Sequence, residues 1–199
     1  GGEYGPYDLG ESLGLSAAGS FDSAVYNGYL YLAFAADGGN YVHLAKCMVP
    51  QQIEAGCLPM FWHDFGSSTY KKDLGFTALS GLGLDAGAGL NGPDQADKSY
   101  LYLVHSKYNI PHRIKIRQLG PEDSIRRTII VPSHYRSYTT ADQIAVRLVK
   151  SAFPNGFYLY LAWQDDGKIY TSIVQNNDNL SGDGWITMPQ DTFLRTNRG

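Results

Sequence analysis

One strand-turn-strand motif occurs three times in this chain of 199 residues. The copies read YLYLAFAADGGNYVHLAK from Tyr29, YLYLVHSKYNIPHRIKIRQ from Tyr100 and YLYLAWQDDGKIYTSI from Tyr158. Tyr and Leu alternate with the two-residue period of a β-strand, and a short polar segment with Gly or Pro follows each strand. A chain that repeats the same hairpin at long intervals is predicted to be all-β and assembled from repeated sheets.

The sequence around each hairpin extends the repeat to four strands. An apolar segment precedes the first and third copies and ends at Asn27-Gly28 or Asn155-Gly156. Asn-Gly favours a type I′ hairpin turn, because both residues tolerate positive φ. The middle copy has Asn91-Gly92, followed by the insertion PDQADK. A fourth strand is predicted in MFWHDF, RRTIIV and GWITMP.

These strands predict a single β-propeller-type domain over residues 1–199, with about three four-stranded, up-and-down repeats. The repeats cover approximately residues 4–68, 69–137 and 138–199. Propellers generally have about four to eight blades, so three blades would leave the ring open. We expect a symmetric homo-oligomer, most simply a homodimer, to complete it. More, smaller blades per chain and a β-sandwich are the alternatives, and residues 51–56 are the one place where a helix is allowed.

The third repeat carries a resemblance to a known family. FPNGFYLYLAWQDDGKIYTSI, with DGW soon after, resembles the blade repeat of sialidase-like propellers and of propeller lectins. SGDGW at residues 181–185 is similar to the sialidase Asp-box, although it is shorter and lacks the Thr before the Trp. The resemblance implies a β-propeller fold and, as activities, sugar binding or glycoside hydrolysis.

Sequence signals for catalysis are weak. No serine-hydrolase, zinc-protease or phosphate-loop motif occurs. A retaining glycosidase needs two carboxyl groups close together on rigid elements. The glutamates all fall in segments that read as loops or termini: Glu3, Glu11, Glu54 and Glu122. A non-catalytic carbohydrate-binding protein, a lectin, is therefore predicted, and a sialidase-like glycoside hydrolase (or a fragment of one) and a protein-binding propeller are the alternatives.

The predicted sugar contacts lie where each Tyr-Leu strand ends. An aromatic or imidazole side chain stands near the end of each Tyr-Leu strand, and a turn with Asp or Tyr follows it. A sugar could stack on that side chain while its hydroxyl groups bind the polar residues of the turn. The third repeat is predicted to be the strongest site. The carbohydrate-binding residues predicted are Trp163, Asp165, Asp166, Tyr170, Phe34, Asp37, His105 and Tyr108. A core role for Trp62, Trp163 and Trp185 is the competing interpretation, and no catalytic residue, metal or cofactor is predicted.

Net charge, hydropathy and cysteine content bear on binding to nucleic acid or membranes and on the cellular compartment. A net charge of -3 gives no indication of nucleic-acid binding, and no apolar run is long enough to span a membrane. Cys47 and Cys57 fit either a disulfide in a secreted protein or two reduced thiols. A secreted or extracellular protein that binds glycans is the prediction.

The repeats also contain aspartates near their first strands. Asp22, Asp85 and Asp142 are predicted to lie before the innermost strands, at roughly equivalent places. A repeated carboxylate of this kind is predicted to have a structural or ligand-contacting role rather than to form one catalytic pair.

Overall fold

The computed structural model describes residues 13, 18–36, 41–48, 62–66, 69–78, 81–88, 99–107, 113–120, 122–130, 143–150, 157–165, 168–176, 185–188 and 194–195. In this part of the chain the regular elements are thirteen β-strands, all in antiparallel sheets. The all-β prediction is thereby confirmed. The helix allowed at residues 51–56 falls outside the described residues.

The strands form three sheets that follow one another along the chain. Sheet 1 contains β1 (Ala18–Tyr26), β2 (Tyr29–Ala36), β3 (Tyr41–Met48) and β4 (Lys72–Thr77). Sheet 2 contains β5 (Leu82–Ala88), β6 (Ser99–Lys107), β7 (Arg113–Leu119) and β8 (Ile125–Ile130). Sheet 3 contains β9 (Gln143–Lys150), β10 (Phe157–Asp165), β11 (Lys168–Asn176), β12 (Trp185–Met188) and β13 (Leu194–Arg195). Within each sheet, consecutive strands pair in chain order, except that β13 pairs with β11 beside β12.

The first predicted hairpin turn has the expected backbone. Asn27 and Gly28 have φ of 49° and 77°, and Tyr26 pairs with Tyr29 across them. Two consecutive positive φ values are the mark of a type I′ turn, so this prediction is confirmed. The turns predicted at Asn91-Gly92 and Asn155-Gly156 lie outside the described residues.

The fourth strand appears where it was predicted in sheets 2 and 3 but not in sheet 1. Trp62 makes only an isolated bridge with Cys47, and the fourth strand is Lys72–Thr77. The chain turns directly after Trp62, because Asp64 Oδ1 accepts hydrogen bonds from the N–H groups of Gly66 (2.7 Å) and Thr69 (3.1 Å). Because of this turn, pairing with β3 stops at Trp62, and the fourth strand of sheet 1 begins ten residues later, at Lys72.

Each sheet has two faces of different composition, because alternate residues of a strand point to opposite sides. We call the side with the second tyrosine of the YLYL motif, which is Tyr31, Tyr102 or Tyr160, the Tyr face. The opposite side is the Leu face. It has the second leucine of the motif and the ring that ends the strand: Leu32 and Phe34, Leu103 and His105, or Leu161 and Trp163.

The Tyr face of sheet 1 packs on the Leu face of sheet 2. Tyr31 and Ala33 of β2 share one buried apolar cluster with Leu101 and Leu103 of β6. Side chains of β1 also bind the edge of β5: Ser20 Oγ accepts from Leu82 N at 2.9 Å, and Asp22 Oδ2 accepts from Leu84 N at 2.8 Å. These bonds satisfy backbone donors of β5 that face away from β6, and they show that β1 and β5 run in the same direction.

The Tyr face of sheet 2 packs on the Leu face of sheet 3 in the same way. Gly83 of β5 lies against β9, where a Cβ at position 83 would be 3.1 Å from Val146 Cγ1 and 3.2 Å from the Ile144 carbonyl oxygen. Tyr102 and Leu161, from the second strands of the two sheets, are both buried. The first strands β1, β5 and β9 are therefore adjacent in that order, and the three sheets form one stack.

Candidate functional site

The three rings predicted to stack on sugars occupy equivalent positions in their sheets. Phe34, His105 and Trp163 each lie two residues after the second leucine of the motif, and each is almost completely buried. All three lie on Leu faces: His105 and Trp163 point toward the preceding sheet, and Phe34 belongs to an apolar cluster with Trp62. Burial assigns these rings a packing role at least, and their role as sugar contacts stays a prediction.

His105 contacts Phe76 through one face of its ring and Arg117 through a ring nitrogen. Phe76 of β4 stacks on it with ring centroids 4.5 Å apart, and the guanidinium carbon of Arg117 lies 4.5 Å from the centroid of the same Phe76 ring. Arg117 Nε donates to His105 Nε2 at 3.3 Å, and His105 Nδ1 lies 3.2 Å from the Ser106 carbonyl oxygen. Nε2 accepts from Arg117, and the Ser106 carbonyl can only accept, so this arrangement fits a proton on Nδ1 that is donated to Ser106.

Arg117 is further fixed by its neighbour on β8. Its Nη1 donates to Thr128 Oγ1 at 2.7 Å. Burial lowers the pKa of the Arg117 guanidinium, although an arginine still remains charged at any ordinary pH. Arg117 is thus partly buried, and its side chain joins sheet 2 to Phe76 of sheet 1.

The polar residues predicted around the rings are described only in part. Asp165 and Tyr170 belong to β10 and β11, where Asp165 pairs with Lys168 and Trp163 with Tyr170. Three further predicted residues lie outside the described residues: Asp37, Tyr108 and Asp166.

The second strands of sheets 1 and 2 end on the same side of the stack. Each connection joins the second strand of a sheet to the third, after Ala36, Lys107 or Asp165. Because β1 and β5 run in the same direction and each sheet has the same strand order, the second strands of sheets 1 and 2 end on the same side. Sheet 3 repeats the strand order, and its β9 lies beside β5.

A buried ion pair that sequence reasoning missed joins sheets 1 and 2. Asp123, in the turn between β7 and β8, accepts a hydrogen bond from the Tyr31 hydroxyl at 2.9 Å and forms an ion pair with Lys46 of β3. The Lys46 ammonium lies 5.2 Å, 5.7 Å and 5.5 Å from the ring centroids of Tyr29, Tyr31 and Phe65. We call these five residues the Lys46 cluster.

The conformation of the turn between β7 and β8 positions the Asp123 carboxylate beside Lys46 and Tyr31. Gly120 N donates to the Ser124 carbonyl oxygen at 3.0 Å, and Asp123 N donates to the Gly120 carbonyl oxygen at 3.1 Å. Asp123 has φ of 54°, a left-handed conformation that Asp adopts more readily than most residues. The sequence GPEDS indicates a turn, but nothing in it shows that the carboxylate binds a lysine and a tyrosine of the preceding repeat.

The chemistry of the Lys46 cluster is that of a structural link. Burial first, and then the negative charge of Asp123 and its hydrogen bond, raise the pKa of the Tyr31 hydroxyl well above its usual range. Tyr31 therefore stays protonated, and the Lys46 ammonium and the Asp123 carboxylate neutralise each other.

The aspartates of the first strands also have structural roles where they are described. Asp22 Oδ1 accepts from Ser23 N at 2.8 Å and Asp85 Oδ1 accepts from Ala86 N at 2.9 Å. Asp22 lies within β1 and Asp85 within β5, so their predicted position before the first strands is wrong. Their registers also differ, because Asp22 lies opposite Ala33 whereas Asp85 lies opposite Tyr102. The equivalence predicted for them is therefore approximate, and Asp142 lies outside the described residues.

Three further observations concern the chemistry that this part of the chain offers. Cys47 is disulfide-bonded, and Cys57 is the one other cysteine of the chain. Among the residues that the structure describes, no group of three or more His, Cys, Asp or Glu could hold a metal ion. The described residues also include no helix with the length and apolarity needed to cross a membrane.

Comparison of the chain with protein-family models, with curated proteins and with solved structures found no match. The propeller and lectin resemblance therefore rests on the sequence motif, and the fold rests on the three stacked sheets.

Proposed function

We propose that the protein is a carbohydrate-binding protein, a lectin of β-propeller type, and that its sugar sites lie in the connections between the second and third strands of the sheets. The observation that carries the proposal is the common direction of β1 and β5, because of which the second strands of sheets 1 and 2 end on one side of the stack. Several weak sites on one rigid body can bind a branched or clustered glycan more tightly than one site can.

The composition of the connections supports sugars as the ligands. The connection after β2 contains Asp37, the one after β6 contains Tyr108 and Asn109, and the one after β10 contains Asp166. Carboxylates and amides accept hydrogen bonds from hydroxyl groups, and tyrosine offers a ring as well as a hydroxyl. The disulfide of Cys47 supports the further proposal of a secreted protein, because disulfides persist in oxidising compartments.

A glycan array probed with the full chain tests this proposal, followed by titration of the glycan that binds best. The double variant Asp165→Asn/Asp166→Asn should weaken that binding about tenfold or more, the effect of losing charged hydrogen-bond partners. Asp37→Asn, in the connection predicted to be weaker, is the matched control and should have a smaller effect. Melting temperatures of both variants must stay near that of the wild type.

Failure to retain any glycan would contradict the proposal, and so would equal binding by all three proteins. Release of sugar from a chromogenic glycoside would instead favour the glycoside-hydrolase alternative.

A further inference from the structure

The two interfaces inside the stack follow one rule, in which a Tyr face packs on a Leu face. Tyr31 of sheet 1 is buried against sheet 2, and Tyr102 is buried on the face of sheet 2 that meets sheet 3 at Gly83. The YLYL motif contributes to the packing on both faces of a sheet. Its tyrosines point toward the following sheet and its leucines point toward the preceding one.

The same rule leaves two faces of the stack without a partner sheet in the described part of the chain. These are the Tyr face of sheet 3 and the Leu face of sheet 1. Tyr160, the counterpart of the buried Tyr31 and Tyr102, is 42% exposed. On the Leu face of sheet 1, Leu30 and Leu32 are only partly buried, whereas their counterparts Leu101 and Leu103 in sheet 2 are fully buried.

The contrast is largest on the first strands. Phe21 of β1 lies opposite Phe34, as Leu82 lies opposite His105 and Ile144 opposite Trp163. Leu82 and Ile144 are 3% and 6% exposed, because each contacts the preceding sheet, but Phe21 is 68% exposed. Leu13, Trp62 and Tyr70 cover the β2 and β3 side of this face, so its uncovered part is β1.

Exposed large apolar side chains concentrate on these two faces. Among the described residues they are Phe21, Val25 and Tyr41 on the Leu face of sheet 1, Tyr160 on the Tyr face of sheet 3, and Met48 at the end of β3. Met48 lies opposite Tyr29 and therefore on the Tyr face of sheet 1. Contiguous exposed apolar surface on a β-sheet marks an interaction site more often than scattered single residues do.

We propose that a second copy of this chain packs the Tyr face of its sheet 3 on the Leu face of sheet 1, and that the reciprocal contact closes a two-fold ring. One open face is a Tyr face and the other is a Leu face, and contacts between these two kinds of face already hold the three sheets of the chain together. The uncovered part of sheet 1 is β1, a first strand, and first strands also form the contacts between sheets 1 and 2 and between sheets 2 and 3. A head-to-tail contact between two copies closes when each copy supplies one face of each type. This inference goes beyond the sugar-binding proposal and does not depend on it.

The first experiment measures the mass of the full chain in solution by light scattering and sedimentation. A dimer is expected, and Phe21→Ser/Val25→Thr should raise its dissociation constant more than about tenfold, because both side chains lose their apolar contact. Both positions are exposed within one chain, so the fold should persist, as far-UV circular dichroism will show. Met48→Ser is the matched control, since it removes an equally exposed apolar side chain from outside the two faces, and it should leave the dimer intact.

The second experiment tests the register of the contact. Asp22 of β1 reaches Leu84 of β5, and the residues at the corresponding register positions on the open faces are Ala145 and Ser23. Oxidation of a mixture of Ala145→Cys and Ser23→Cys proteins should therefore give a cross-linked pair, whereas neither variant alone should cross-link. Cross-linking of Ser23→Cys with itself would indicate two Leu faces in contact and overturn the proposal. A monomer, an oligomer of another size, or equal behaviour of the Phe21 and Met48 variants would overturn it as well.

Discussion

Single polar side chains, some buried and some partly buried, join sheets 1 and 2 near the first strands and near the outer strands. Near the first strands, Ser20 and Asp22 bind the backbone of β5. Near the outer strands, Asp123 reaches from sheet 2 to Tyr31 and Lys46 of sheet 1. Hydrogen bonds depend on angle as well as distance, so they fix the position of one sheet on the next more narrowly than apolar packing alone would.

Replacing Asp123 tests the outer link. Asp123→Asn would leave the ammonium of Lys46 in a buried site without its counterion, and we expect the free energy of unfolding to fall by about 3 kcal/mol. Glu122→Gln is the matched control: the exposed Glu122 precedes Asp123 in the same turn, and its backbone oxygen, which accepts from Lys72 Nζ at 3.0 Å, is retained. The control should stay within about 0.5 kcal/mol of the wild type in urea denaturation. Equal losses in both variants would contradict the structural role of the ion pair.

The raised pKa of Tyr31 predicts a specific loss of stability at alkaline pH. The unfolded chain releases the Tyr31 proton near pH 10, whereas the folded chain retains it to higher pH, so the folded state binds more protons above pH 10. Stability from this residue is therefore fully present below pH 10 and declines as the pH rises further. Tyr31→Phe should be less stable than the wild type at neutral pH by about 1 kcal/mol, and this difference should narrow between pH 10 and 11. Parallel curves of unfolding free energy against pH would contradict the prediction.

At the scale of elements, the sequence allowed the hairpins to be predicted because their determinants are local. Alternation of Tyr with Leu and the pair Asn27-Gly28 lie within one strand and one turn, and β2 and the type I′ turn occur as expected. The fourth strand of sheet 1 could not be located, because the side chain of Asp64 redirects the chain after Trp62. That effect depends on hydrogen bonds which strand periodicity does not report.

The prediction of the sugar site was limited because the sequence does not show whether an aromatic side chain is exposed or buried. An aromatic residue at the end of a strand can stack on a ligand or fill a core, and the motif is the same in both cases. Trp163 and His105 are buried because each faces a preceding sheet, a relation that no single repeat contains. Asp123 could not be recognised for the same reason, since its partners Tyr31 and Lys46 belong to another repeat.

For the whole molecule, stability should depend on how closely neighbouring sheets approach. In a stack, each sheet is stabilised by its own hydrogen bonds and by its interfaces with neighbouring sheets, as in other repeat proteins. Gly83 sets the distance between sheets 2 and 3, because the backbone and side chains of β9 occupy the space where a larger residue would extend. A substitution at Gly83 therefore tests how much the interface between sheets 2 and 3 contributes to stability, apart from the hydrogen bonds within each sheet.

Gly83→Val should therefore weaken the attachment of sheet 3. Its Cβ alone would be 3.2 Å from the Ile144 carbonyl oxygen, a backbone atom that cannot rotate away, and the added methyl groups need still more space. We expect the free energy of unfolding to fall by about 2 kcal/mol or more. Hydrogen exchange should become faster in β9, β10 and β11, while β2 and β3 keep their protection because their interface is unchanged. Gly19→Val is the matched control, since Gly19 is an exposed strand residue whose added Cβ would be 3.5 Å from the nearest atom, the Ala35 oxygen. If Gly83→Val unfolds and exchanges like Gly19→Val, sheets 2 and 3 do not approach each other at Gly83, and the order of the stack must differ.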